Sequence, residues 1–287
     1  MGNDYHVFNP QDCEGWTGIK QFCSCGYVIA GLRGDGTVVA AGLPEWVDEI
    51  QTWDHILKLY SLAGDNKMIA GLHEDGRLII IGEDTMPDGD NSTIYDVMET
   101  WENVRDMNVG VCAAGAYAVA LHSDGSLSYV GIYDVGWSGR AEHIVDLDCS
   151  GWGLIALKAD GTCVVNGEDS GYRVITDTWS DLKQVGCGDT LAVGLRNDGT
   201  IVSTRDDLSE EFYALRDIDH FECNTYNAIT AYRADGTVEF FEHAAASANK
   251  TVHNWSDIDK IIITYPIVIG LKTDGTLVST VGEINFG

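Results

Sequence analysis

"GLRGDGTVVAAG" at residues 31–42 reads as a hairpin: two short apolar, β-branched runs flank Asp35-Gly36. The phrase returns as "GLHEDGRLIIIG" at 71–82, "ALKADGTCVVNG" at 156–167 and "GLKTDGTLVST" at 270–280. In all, seven Asp-Gly pairs stand in this setting, at Asp35, Asp75, Asp124, Asp160, Asp198, Asp235 and Asp274. The steps between them are 40, 49, 36, 38, 37 and 39 residues. Glycine supplies a positive φ and Asp tolerates the left-handed region beside it, so the pattern predicts a two-residue type I′ turn at each.

A second mark precedes most turns by about twenty residues. It reads "WTGIKQF" from Trp16, "WDHILKL" from Trp53, "WENVRDM" from Trp101, "WSDLKQV" from Trp179 and "WSDIDKI" from Trp255. Two copies are degenerate, "AEHIVDL" from Ala141 and "LRDIDHF" from Leu215. Each unit therefore supplies a first strand A, a turn, the "GL" strand B, the Asp-Gly turn, strand C, and a looser strand D. Four short strands per unit of about 40 residues predict one propeller blade, and seven units predict an all-β, seven-bladed β-propeller occupying residues 1–287 as one domain. An open ring exposes two sheet edges. The segment "DYHVFNPQDCEGW" resembles the stretches ahead of the other Trp marks, so Tyr5–Phe8 is expected to complete the last blade and latch the ring.

Charge narrows the partners. The 287 residues carry 45 acidic against 17 basic side chains, a formal charge of −28, and 45% of them are hydrophobic. Phosphate binding needs clustered Lys and Arg, so nucleic acid and anionic membrane are not expected. A basic protein, a cation or a neutral ligand remains compatible. No apolar run reaches the roughly 18 residues needed to span a bilayer. The start "MGNDYHVFNPQDCEG" has neither a basic nor an apolar leader region, so no signal peptide is expected there and the location is read as cytoplasmic. An extracellular location is implied only for a precursor whose leader has been cleaved.

The "W-x-D-I-x-x-I" segment, the Cys-containing "CSCG" at 23–26 and "GL-x-x-DGT-V" together resemble the regulator of chromosome condensation repeat family. The likeness runs over about residues 16–282, with shorter units than the eukaryotic members have, more like bacterial versions, and without the usual "HT" before the "GL" strand. It implies a seven-bladed propeller. The nucleotide-exchange and chromatin-docking activity of the family's founding member is not carried over, because no basic tail or wedge-like insertion is present. Photoreception by clustered tryptophans is likewise not expected, since only Trp152 falls in an innermost turn.

In a propeller the A–B and C–D turns share one face, and the Asp-Gly B–C turns lie on the other. The A–B turns vary and are the candidate contact surface. They hold Tyr27, Lys67, Tyr117, Trp152, Tyr226 and Tyr265, with Trp46 and Trp137 in or beside C–D loops and outside the structural Trp register. Aromatics are enriched at binding hot spots, although they also plug channel mouths without any ligand. The C–D loops at 83–92, 132–140, 168–173 and 205–211 are acidic, which suits a basic or polyhydroxylated partner or mere solvation. "DGDNS" at 88–92 lacks the spacing and distal Glu of a calcium loop. On the other face stand Arg33, His73, His122, Lys158, Arg196, Arg233 and Lys272, two residues before each turn Asp, where each is expected to offset its own turn.

Catalytic signatures are lacking. Cys23, Cys25, Cys112, Cys149, Cys187 and Cys223 fall in strand A, Cys163 in a strand C and Cys13 in the latch, so the repeat explains them as small buried residues better than a zinc or disulfide framework does. The eight histidines show no ligand spacing, and no nucleophile elbow, phosphate loop or dinucleotide fingerprint is present. The expectation is a non-enzymatic, monomeric, protein-binding scaffold without cofactor or metal. The alternatives are a carbohydrate- or surface-binding module and a hydrolase or lyase with a site at the channel mouth.

Overall fold

The computed structural model describes residues 13, 15–62, 67–83, 94–112, 115–131, 141–149, 154–165, 175–188, 190–223, 227–241, 252, 254–264, 267–274 and 276–280. The Tyr5–Phe8 latch lies outside them. The chain divides into two compact units, residues 1–134 and 135–287.

The first unit holds three antiparallel three-stranded sheets: β1 (Ile19–Ser24), β2 (Val28–Arg33) and β3 (Val38–Gly42); β4 (Ile56–Leu62), β5 (Lys67–His73) and β6 (Leu78–Glu83); β7 (Val104–Cys112), β8 (Gly115–His122) and β9 (Leu127–Gly131). The second holds four more. These are β10 (Ile144–Cys149), β11 (Leu154–Lys158) and β12 (Cys163–Val165), then β13 (Leu182–Cys187), β14 (Ala192–Arg196) and β15 (Ile201–Ser203). They are followed by β16 (Ile218–Cys223), β17 (Ile229–Arg233) and β18 (Val238–Phe241), and by β19 (Ile258–Thr264), β20 (Ile267–Lys272) and β21 (Leu277–Ser279). One sheet per sequence repeat is thus present, in plain meander order. No helix among the described residues is long and apolar enough to cross a membrane.

After β3 and β15, where the segment expected to form the looser fourth strand is described throughout, a short helix stands in its place; after β6 the described part of that segment, from residue 94, is helical too. After β3 runs α1 (Pro44–Ile50), after β6 runs α2 (Ile94–Met98), and after β15 runs α3 (Glu210–Tyr213). The period decides it: Trp46 and Ile50, or Ile94 and Met98, are buried while Asp48 or Asp96 midway between them is exposed, whereas a strand of period two would bury all three. Pro44 begins α1, where its missing N–H is harmless, and Ser209 caps α3 by accepting from Phe212 N.

The turns also differ from the two-residue type. Arg33 N donates to Thr37 O at 2.9 Å and Gly36 N to Arg33 O at 3.1 Å, which closes a three-residue loop with a glycine bulge. Only Gly36 of the pair has positive φ, at 87°. Asp35 is instead an acceptor: its Oδ1 takes Thr37 N at 3.0 Å and Thr37 Oγ1 at 2.7 Å. The same side chain–backbone bond recurs at Asp75, Asp124, Asp160, Asp198, Asp235 and Asp274. That is why Thr or Ser follows Asp-Gly in six of seven copies.

The Trp mark is explained by close approach. A Cβ on Gly31, Gly71, Gly194 or Gly270 would stand 2.9–3.2 Å from the ring of Trp16, Trp53, Trp179 or Trp255 in the same order, so the "GL" glycine makes room for the indole. Where the mark has Ala141 or Leu215 instead, the matching strand residue is Ala156 or Ala231, and in the third repeat Trp101 is matched by Ala120. Two residues after each mark the backbone is left-handed: Gly18, His55, Asn103, His143, Asp181, Asp217 and Asp257 all have φ between 53° and 69°. The bend brings the next strand over the preceding turn. Ile56 N donates to Gly36 O, Val104 N to Gly76 O, Leu182 N to Gly161 O, Ile218 N to Gly199 O and Ile258 N to Gly236 O.

Within each unit the core lies between successive sheets. One cluster joins Val28, Leu32 and Trp46 to Trp53, Ile56, Leu59 and Ile69, and another joins Met68 and Leu72 to Trp101, Met107 and Ala118. In the second unit Val193, Leu195 and Ile201 meet Phe212, Ile218 and Phe221 in the same way. A sheet too small to hide its own face is covered by its neighbour.

Candidate functional site

In the first unit the end of each third strand is drawn against the start of the second strand of its own sheet. Leu43 N donates to Tyr27 O at 3.0 Å, and a Cβ on Gly42 would lie 2.1 Å from that oxygen, so only glycine fits. Gly82 stands in the same relation to Lys67 O, and Gly131 to Ala116 O. In the first unit segments A–B and C–D therefore meet, as the propeller reading requires.

In the first unit this contact gathers three of the sequence candidates. Trp46, carried on α1, meets Tyr27 edge-on, with ring centroids 5.9 Å apart and planes at 80°. Lys67 Nζ stands 4.2 Å above the Tyr27 ring, a cation–π contact worth about 0.5–2 kcal/mol by its degree of desolvation. Tyr95 on α2 repeats the theme one sheet on, its hydroxyl donating to Lys67 O at 3.3 Å. In the second unit consecutive A–B turns also touch: Thr190 N donates to Asn227 Oδ1 at 2.8 Å. From the segment after β15, Arg205 Nη1 donates to Thr190 Oγ1 at 3.4 Å while its Nε donates to Asp207 Oδ1 at 2.7 Å. Tyr213 of α3 donates to Arg205 O. Burial, then Asp206 and Asp207, raise the pKa of its phenol.

The candidates divide accordingly. Tyr27 and Lys67 are half-buried and present part of their surface. Trp46 is 7% exposed and backs Tyr27 from beneath. Tyr117 is 6% exposed, lies in β8 and packs at 6.2 Å on Tyr129, so both belong to the packing and offer little contact surface. Trp137, Trp152, Tyr226 and Tyr265 lie outside the described residues, as do the acidic loops at 84–92, 132–140 and 168–173 and the calcium-like "DGDNS". Arg205, Thr190 and Asn227 carry the second-unit contact. Their signal in the sequence is only that Thr190 and Asn227 share Tyr27's offset from the "GL" landmark.

On the Asp-Gly side the basic residues do not pair uniformly with their turns. His73 Nδ1 stands 2.8 Å from Asp75 Oδ1, but Arg233 pairs with Glu239 at 2.8 Å, and His122 reaches Glu102 O and Ser128 Oγ at 2.7 Å. The turn carboxyls are held below their usual range chiefly by the hydroxyl two residues on, with the base a lesser cause. A cleft of about 330 Å³ in the first unit is lined by Asp54, His73, Arg77, Leu78, Ile79 and Glu99. Among the described residues no group of three His, Cys, Asp or Glu side chains is placed to hold a metal ion. Burial pushes the thiols of Cys23 and Cys163 up to about 12, so they are inert packing groups.

No protein-family model and no curated protein sequence matches the chain. Solved structures do. The ectodomain of the receptor kinase CR4 from Physcomitrella patens aligns with a TM-score of 0.53 at 13% identity, covering 90% of this chain and 70% of that one. The CRINKLY WD40 ectodomain of the receptor kinase ACR4 from Arabidopsis thaliana gives 0.51 at 12% identity, covering 88% and 92%. The computationally designed Ika8 protein gives 0.51 at 16% identity, covering 91% and 82%. These likenesses concern the backbone: the chain has an all-β, propeller-type repeat fold.

Proposed function

We propose that this chain is a non-enzymatic protein-binding scaffold, a single seven-bladed propeller of the chromosome-condensation repeat type whose A–B and C–D segments form the contact face. The observation that carries it is the Tyr27, Trp46 and Lys67 cluster, with Thr190, Arg205 and Asn227 as its counterpart. In each unit a described A–B segment meets the segment that follows a third strand, while the Asp-Gly turns repeat one geometry. An aromatic ring fixed from below by Trp46 is pre-organised, so little side-chain entropy is lost on binding. The contact set is Tyr27 and Lys67 together with Trp152, Tyr226 and Tyr265. The charge of −28 favours a basic protein partner and a monomeric scaffold.

The register of the first strands supports the ring. Their fourth residues Leu59 and Met107, or Val185, Phe221 and Ile261, are buried under the preceding sheet, whereas Phe22, in the leading sheet of its unit, is 61% exposed. Ring closure, with residues 5–8 as the latch, supplies the missing cover. Deleting residues 1–12 is then expected to lower the melting temperature of the whole chain, and an unchanged melt removes the latch.

The binding reading is tested by affinity capture from native lysate with the wild type, Tyr27→Ala, Lys67→Ala, Trp152→Ala and Tyr265→Ala, with Lys158→Ala on the opposite side as control. A partner held by wild type and control, lost from the face variants and released by salt, is the expected result. Equal recovery by all of them discards the face.

A further inference from the structure

The seven Asp-Gly pairs at the hairpin turns carry a chemical liability that the fold must answer. In an Asp-Gly peptide the glycine nitrogen has no neighbouring side chain to shield it and attacks the Asp γ-carbon. The N–Cγ bond forms, and the carboxyl OH and the amide proton leave together as water. Water then adds back to the cyclic imide. Opening on the α-carbonyl side routes the main chain through the side-chain carboxyl, giving an isoaspartyl linkage, with no reagent but water.

We propose that the seven turns are isoaspartyl modification sites held latent by the fold, with the residue two places after each Asp as the guard. The electrophile is tied down. At Asp35, Asp160, Asp198, Asp235 and Asp274 the following Thr gives both its N–H, at 2.9–3.0 Å, and its hydroxyl, at 2.6–2.7 Å, to Oδ1. Ser126 does the same for Asp124. At Asp75 the hydroxyl is replaced by Arg77, whose N and Nε donate at 3.0 and 2.8 Å. These bonds favour the ionised carboxylate, which cyclises less readily than the acid.

The nucleophile is tied down too. The amide nitrogens of Gly36, Gly76, Gly125, Gly161, Gly199 and Gly236 each donate to the carbonyl three residues earlier at 2.9–3.1 Å. Nor can the liability be removed by replacing the glycine. Its φ is positive, and a Cβ would lie 2.9 Å from Asn103 Cα at Gly76 or 3.0 Å from Asp217 N at Gly199. The connector to the next sheet occupies that space. Guarding the Asp is the remaining solution, which gives the recurrent Thr a chemical role beyond turn formation.

The test is to age the purified chain at neutral pH below its melting transition and map isoaspartyl peptides. Wild type, Thr200→Val, Thr200→Ser and Thr37→Val are compared with wild type unfolded in urea. Native wild type should accumulate isoaspartate several-fold more slowly than the unfolded chain at all seven sites. Thr200→Val should raise Asp198 several-fold while Asp160 and Asp235 in the same molecules stay slow, and Thr37→Val should raise Asp35 alone. Thr200→Ser should behave as wild type. Equal rates in native and unfolded chains overturn the proposal. So does a Thr→Val variant that leaves its own Asp slow, or one that raises all seven sites together.

Discussion

Both polar atoms of the Gln21 side chain close on a single residue of the next sheet: Nε2 donates to Leu59 O at 2.7 Å, and Leu59 N donates to Oε1 at 2.9 Å. Gln184 treats Phe221 in the same way, at 2.7 and 3.0 Å. The first strand of each sheet is an edge, and alternate backbone groups on it face away from its only partner strand. An amide side chain, with one donor and one acceptor, satisfies such a pair at once. Other junctions use other groups. Met107 N donates to Tyr60 Oη at 3.1 Å, Cys187 N to Asp148 Oδ2 at 2.9 Å, and Ile261 N to Tyr232 Oη at 3.0 Å.

Replacing Gln21 by Leu should therefore destabilise the chain by about 1–3 kcal/mol, the cost of stranding partly buried backbone groups. Gln21→Glu keeps the acceptor but loses the donor to Leu59 O, and should fall between Leu and wild type. Urea midpoints measure both; a Leu variant as stable as wild type would show that water satisfies this edge equally well.

Gly194→Ala puts a methyl 2.9 Å from Leu182 Cδ2 and 3.1 Å from Trp179 Cε3. Overpacking of this kind costs about 1–3 kcal/mol. The sixth repeat, with Leu215 beside Ala231, supplies the remedy, so Trp179→Leu combined with Gly194→Ala should lose less than the two single changes added together. A double-mutant cycle by thermal melting checks this, and strict additivity would refute the steric pairing.

Asp217 sits at φ 59°, where an L side chain is strained. Asp217→Gly is expected to be neutral or to stabilise by up to about 1 kcal/mol, since glycine adopts this region freely but loses more entropy on folding. Asp217→Val should destabilise by more than about 1 kcal/mol, because a β-branched side chain fits the left-handed region worst. The order Gly, Asp, Val in melting temperature is the expected reading.

Acid should weaken the fold through depressed carboxyls. Burial raises the pKa of Asp106, but Lys58 Nζ at 2.7 Å and the Tyr60 hydroxyl at 2.6 Å outweigh it and leave the net shift downward. The turn Asp residues shift the same way, through their hydroxyl partners. A folded pKa below the unfolded one gives stability that is present above the unfolded value and lost as pH falls through the folded value. The loss should begin below about pH 4, and Asp106→Asn should flatten it. A stability curve with the same slope in Asp106→Asn and wild type would assign the acid response to other groups.

The repeat was legible because it is written in local chemistry. Asp-Gly with Thr after it, an apolar run on either side and a Trp at fixed distance specify a hairpin and its neighbour before any contact is considered, and seven copies specify seven sheets. The left-handed connector went unread, although the Gly, His, Asn and Asp residues two places after each mark all tolerate that backbone region. The Gln at one offset in "WTGIKQF" and "WSDLKQV" was the visible trace of the clasp.

Only the tertiary structure decided what a periodic pattern leaves open. It made the segment after β3 helical, because burial of Trp46 and Ile50 against neighbouring strands outweighs the local reading of an extended chain. It turned the two-residue loop into a three-residue one, because the carboxylate finds a hydroxyl and an N–H two places on. It also sorted the aromatics, sending Trp46 and Tyr117 into the packing and leaving Tyr27 beneath Lys67. An aromatic side chain is equally suited to a core and to a contact surface, so its role depends on which neighbours cover it.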